Sequence, residues 1–426
     1  MAIDTKKELR NQVMYSVFVR NYSEAGTFEA VRRDLGRIRE LGVDVIWLMP
    51  IHPIGIQGRK GTVGSPYAIM DYRATDPAYG TKEDLRRLAD DARSMGMRLI
   101  IDVVYNHTSP DSWLAKHHPE WFYHKPDGAM GNRFGDWADV VDLDYSQPGL
   151  WDYQIETLKM WAEIVDGFRC DVAPLVPLEF WQRARREVAQ VRPDALWLAE
   201  SVEPGFITAA RAQGMNALSD SEIFQAFDVA YDYDIYPWLK GYLGGYDPLE
   251  AWLERMNAQE YVYPDNYVKL RFLENHDNSR ARFLIPDDRA LRSWTSFLFF
   301  QKGMTLLYAG QERGARHLPM LFEKDPVDWS AGEDMSALFR SLSDMKRDPV
   351  FALGTFHAEV RNGAIHAERR LGDRRIIGVF PLDGRPGLVP VEAGEGRYGD
   401  LVTGASAEVH RGRLSHDGQA VVIEAR

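Results

Sequence analysis

The chain has 426 residues, 45% of them hydrophobic and 27% charged, a balance that excludes a disordered or fibrous protein. Its length fits one large barrel-type domain with an appendage. Asp and Glu number 63 against 51 Lys and Arg, and the net charge of −12 argues against nucleic acid or an anionic membrane as partner.

Residues 1–12 are polar and lack the apolar core of a signal peptide. No window approaches the ~18 apolar residues of a membrane span. Cys170 is the only cysteine, so no internal disulfide can form. Together these features predict a soluble, cytoplasmic protein.

Along the chain, short apolar runs rich in β-formers alternate with longer helix-patterned stretches. The runs lie at 13–19, 43–49, 98–104, 165–170, 195–199, 227–231, 268–273 and 304–308. Several are apolar almost throughout, as parallel strands covered on both faces are. Between the first two runs, Phe28, Val31, Leu35, Ile38 and Leu41 share one face of a helix predicted over 27–41, with Thr27 as its N-cap. At 81–95, Thr81 followed by Asp84 resembles a capping box.

Eight strands separated by helices predict an α/β fold, a (β/α)8 TIM barrel. Residues 107–144 follow the third strand and are rich in Pro, Gly, Asp and aromatics, the composition of a functional excursion from a strand end. From about Phe351 the pattern changes to short alternating strands with Gly turns, which predicts a small antiparallel β-domain. The expected division is a barrel over 1–345, including the insertion 107–144, and a C-terminal domain over 346–426.

In such a barrel the chemistry sits at the C-terminal strand ends. Those ends read Asp102-Val-Val-Tyr-Asn-His107, Gly167-Phe-Arg-Cys-Asp171, Leu198-Ala-Glu-Ser201 and Phe272-Leu-Glu-Asn-His-Asp277. Three supply a carboxylate just past the last apolar residue: Asp171, Glu200 and Asp277. A single acid there is often no more than a structural ion pair, and Asp102 suits that role as a partner for Arg169. Arg169 lies two residues before Asp171, on the same strand face, where it can hold Asp171 ionised. Glu274 is expected to face outward by alternation. Agreement among four strand ends points to glycoside chemistry, in which one carboxyl protonates the leaving oxygen and a second attacks the anomeric carbon or activates water.

The four stretches resemble the motif regions of the α-amylase superfamily of glycoside hydrolases. Gly42-Val-Asp-Val-Ile-Trp-Leu-Met-Pro50, Tyr67 with Asp71-Tyr72, and 303–312 extend the likeness along the barrel. The resemblance implies that Asp171 is the nucleophile, Glu200 the acid/base, and Asp277 the acid that binds and distorts the sugar. It makes His107 and His276 hydroxyl-binding residues, Arg169 the nucleophile's partner and Tyr67 the aromatic platform, beside Asp102. It further implies that 107–144 is a short domain B and that the tail is a β-sandwich. Asn106 and Asp142 match calcium ligands of the family. Calcium takes six to eight oxygens and only these two are identifiable, so structural calcium at Asn106 and Asp142 is possible but no cofactor is required.

The activity implied is retaining hydrolysis of α-1,4-glucosidic bonds in maltodextrins or related soluble α-glucans. Two alternatives use the same acids: a transglycosylase or glucanotransferase, and an α-1,6-glucosidase, since Val172 after the nucleophile resembles the residue of α-1,6-specific relatives. A non-catalytic binding member is disfavoured by the presence of all three acids and both histidines.

Overall fold

The apolar runs become strands, trimmed where the chain turns away from its neighbours. A computed structural model describes residues 4–134, 137–330 and 332–425. In chain order, β1 (Val13–Val17), β2 (Val45–Leu48) and β3 (Arg98–Val103) precede the short β4 (His107–Thr108) and β5 (Val141–Asp142). Then come β6 (Gly167–Cys170), β7 (Leu196–Ala199), β8 (Val229–Tyr231), β9 (Lys269–Arg271) and β10 (Met304–Tyr308). Eight of these close a parallel barrel in the order β1-β10-β9-β8-β7-β6-β3-β2, so every strand predicted from the sequence takes its place. β4 and β5 pair antiparallel inside the insertion, with His107 opposite Asp142.

The helix expected over 27–41 is broken in two, Phe28–Arg33 and Leu35–Glu40. Asp34 leaves helical geometry at φ −100°, ψ 2°, where its carboxylate accepts from the Tyr22 hydroxyl and from Arg37 Nε at 2.8 Å. A short polar side chain drawn into such contacts competes with the helix. Both halves still bury their predicted face: Phe28, Val31, Leu35 and Ile38 are fully covered. The capping box at Thr81 and Asp84 opens the helix Lys82–Ser94 as the sequence implies.

Phe351 lies in one more helix, Pro349–Leu353, capped by Asp348, because proline at its first turn favours a helix start over a strand. Strands begin after it: β11 (Thr355–Arg361), β12 (Ala364–Leu371), β13 (Arg374–Phe380), β14 (Gly387–Pro390), β15 (Gly396–Gly399), β16 (Ser406–His410), β17 (Arg413–His416) and β18 (Val421–Ala425). They form two antiparallel sheets, β11-β12-β13-β18 and β14-β17-β16-β15. Ile377, Val379, Val389 and Leu414 pack between the sheets, while Phe356, Ile365 and Phe380 join the core of the barrel. Among the described residues no helix is long and apolar enough to cross a membrane.

Candidate active site

The site is built around Arg169. β6 must lie tightly against β7 for this, and Gly167 permits it: a Cβ there would sit 2.2 Å from the Leu196 carbonyl oxygen. Register then places Arg169 beside Asp102 of β3. The guanidinium is fully buried and meets three carboxylates. Its Nη1 donates to Asp102 Oδ1 at 2.9 Å and to Asp171 Oδ1 at 2.7 Å. Its Nη2 lies 2.5 Å from Glu200 Oε1, as an ion pair and not as an aligned hydrogen bond. The rings of Trp47, Tyr231 and Tyr67 stand 5.1, 5.5 and 5.7 Å from its carbon, π-faces that suit a desolvated cation.

Just past Asp171, Val172 adopts φ +35°, a left-handed conformation that a β-branched residue resists. Its geometry turns the Val172 N–H onto Glu200 Oε2 at 2.8 Å. The strained residue thereby ties the end of β6 to the acid at the end of β7.

The histidines stand on either side. Asn106 Nδ2 donates to His107 Nδ1 at 3.2 Å, which leaves the proton on Nε2, 3.9 Å from Asp171 Oδ2. His276 Nε2 is 2.7 Å from the Tyr67 hydroxyl and 3.1 Å from Asp277 Oδ2. Tyr67 stacks on His276 at 5.6 Å and also donates to Asp102 Oδ2 at 3.3 Å. Asp277, on its loop after β9, is the most exposed of the acids, with 44% of its side chain accessible. Six of the eight residues expected to act on substrate therefore line one mouth, and the other two, Asp102 and Arg169, lie fully buried beneath it.

Glu274 does not face outward. β9 ends at Arg271, so strand alternation no longer governs position 274, and the side chain turns inward to Arg280 Nη1 at 2.7 Å and the Ala281 N–H at 2.6 Å. It is a buried structural pair.

Burial sets the protonation. It pushes Asp102 up to about 7 and raises both Asp171 and Glu200, against the opposing pull of Arg169. One cation cannot neutralise three buried carboxylates, so the cluster retains a proton near neutral pH. Burial lowers His107 and His276 to about 4, which keeps both rings uncharged near neutral pH. A carboxylate against a cation, next to a carboxyl that keeps its proton, is an arrangement that can supply a nucleophile and an acid.

The cavity over these groups measures about 270 Å³. Its walls include Lys60, Trp137, Asp139, Leu321 and Phe322, none of them singled out from the sequence. They sit on loops outside the C-terminal ends of the barrel strands, and no local pattern marks them.

Asn106 and Asp142 also come together: His107 pairs with Asp142, and the Leu143 N–H donates to the Asn106 carbonyl. Asn106 Nδ2 is engaged by His107 while its amide oxygen is not, and Asp142 Oδ2 accepts from the Arg133 N–H at 2.8 Å with the Arg133 guanidinium 3.6 Å away. Asp142 Oδ1 is buried without a partner, but among the described residues no group of three or more His, Cys, Asp or Glu could hold a metal ion.

A family model described as Alpha amylase, catalytic domain matches residues 12–363, and one described as Bacterial Alpha amylase C-terminal domain matches residues 355–423. The crystal structure of an alpha-amylase from Lactobacillus plantarum is 46% identical at a TM-score of 0.96, covering 99% of this chain and 100% of that one. A noncanonic maltogenic alpha-amylase, AmyB from Thermotoga neapolitana, is 31% identical at a TM-score of 0.87, over 98% of this chain and 99% of that one. Among curated relatives, alpha-amylase MalA of Haloarcula japonica is 28% identical over 97% of this chain, and the chain spans 60% of its length.

Proposed function

The chain belongs to the α-amylase family of glycoside hydrolases, and from that premise we propose that it hydrolyses α-1,4-glucosidic bonds of maltodextrins or similar soluble α-glucans with retention of configuration. In this scheme Asp171 attacks the anomeric carbon while Glu200 protonates the departing oxygen. Glu200, now ionised, takes a proton from water as that water cleaves the glycosyl–Asp171 ester, which restores both groups. Asp277 with His276, and His107 opposite, hold the hydroxyls of the reacting sugar, and the Tyr67 ring lies beneath it. Asp102 acts through Arg169 as a positioning residue.

The observation that carries this reading is the double contact of Arg169 with Asp171 and Glu200, at 2.7 and 2.5 Å. One guanidinium touching both carboxyl groups favours the ~5–5.5 Å separation of retaining enzymes over the ~6.5–9.5 Å of inverting ones.

The test is a chromatographic product profile from maltoheptaose. Shorter sugars alone support hydrolysis of α-1,4 bonds. Products longer than the substrate would replace hydrolysis by glycosyl transfer, and cleavage of isomaltose in preference to maltoheptaose would overturn the linkage.

A further inference from the structure

The loop between β2 and β3 carries a stretch, 58–64, that is stitched to the protein on both sides of the cleft mouth. On one side it meets the insertion. Gly58, at φ +73°, approaches so closely that a Cβ would lie 2.9 Å from the Ala138 carbonyl oxygen, and Lys60 Nζ pairs with the buried Asp139 at 3.0 Å. On the other side it meets the loop after β10. Gly61, at φ +63°, leaves room for only 2.6 Å between a Cβ and Glu323 Oε1. There the Val63 and Gly64 N–H groups both donate to the Phe322 carbonyl at 3.1 Å, and the Thr62 N–H donates to Glu323 at 2.9 Å. Both glycines are required, by positive φ and by contact.

From these contacts we propose that residues 58–64 form a strap that closes the end of the cleft holding the retained sugar, so that the enzyme acts on chain ends. In the barrel order the strap spans β10, β1, β2 and β3, which stand across from β7 and its acid Glu200. An acid must face the departing oxygen, so the strap lies on the side of the sugar that stays behind. Lys60, Asp139 and Phe322 line the same cavity as the acids. That cavity measures about 270 Å³. The strap matters only if the chain hydrolyses α-glucans as proposed above.

The experiment compares maltoheptaose derivatives with a free and with a chemically blocked non-reducing end, in the wild-type chain and in Lys60→Gln and Asp139→Asn. Wild type should cleave the free-ended substrate about tenfold or more faster than the blocked one, and first products should be one or two units long. Each variant should raise the blocked-to-free ratio severalfold, the scale of a partly exposed ion pair, and lengthen the first products. Lys60 is partly exposed, so its variant tests the strap without burying a new group. Equal wild-type rates on both substrates, or variants with an unchanged ratio, would overturn the strap. No cleavage of the free-ended substrate would instead sink the hydrolytic function, and the strap with it.

Discussion

Arg169→Met removes the one Lys or Arg that, among the described residues, contacts Asp102, Asp171 and Glu200, and leaves an apolar side chain of similar length. Asp102 is fully buried and Asp171 and Glu200 nearly so, at 6% and 7% exposure. Deleting one partner of a buried ion pair costs about 3–5 kcal/mol, because the remaining charge is left uncompensated. An unfolding entropy of about 2.1 cal/mol/K per residue over 426 residues is about 0.9 kcal/mol/K, so Tm should fall by roughly 3–6 °C. The penalty has a definite pH dependence. Burial already holds Asp102 at about 7 with Arg169 present, and removing the cation raises the carboxylates further above their unfolded values. Raised carboxyl groups contribute stability at low pH that is lost as pH rises through the folded value. Scanning calorimetry of wild type and variant at pH 5 and pH 8 should therefore show the larger loss at pH 8. Equal Tm values, or an equal loss at both pH values, would refute the claim that Arg169 is what makes three buried acids tolerable.

Asp171→Asn should lower turnover about 10³-fold or more, some 4 kcal/mol of barrier, with the circular dichroism spectrum unchanged. Substantial residual turnover would move the nucleophile elsewhere. Because burial raises the Asp171 carboxyl, the amide variant should also gain stability relative to wild type as pH rises, read from Tm at the same two pH values. Glu200→Gln should slow poor leaving groups far more than activated aryl glycosides. It should also abolish the alkaline limb of kcat/KM, since wild-type activity falls as pH rises and Glu200 loses its proton, while the acid limb from Asp171 stays. Chelator treatment should leave both Tm and rate unchanged; a drop in either would return Asn106 and Asp142 to a metal site.

The barrel was legible because buried parallel strands must be apolar on both faces, and eight such runs at helix-length spacing leave few other closures. The acids were legible for the opposite reason: Asp171 and Glu200 are charges at the ends of apolar runs, where they must face a pocket. Glu274 misled because alternation was extended past Arg271, where β9 has already ended. Asp34 broke its helix through contacts with Tyr22 and Arg37, the first of which comes from another element and leaves no local trace. Lys60, Trp137 and Phe322 belong to loops whose meeting is decided entirely by tertiary contact. The glycines at 58 and 61 signal a turn, but only the neighbours Ala138 and Glu323 reveal what the turn presses against.

The most direct check on the double displacement at Asp171 and Glu200 is the anomeric form of the first product, followed by proton NMR during the first minutes of maltotriose cleavage. Two inversions at one carbon predict the α-anomer first, with the β-anomer growing in only by mutarotation. Initial release of the β-anomer would mean a single displacement by water, and would contradict the nucleophilic role of Asp171.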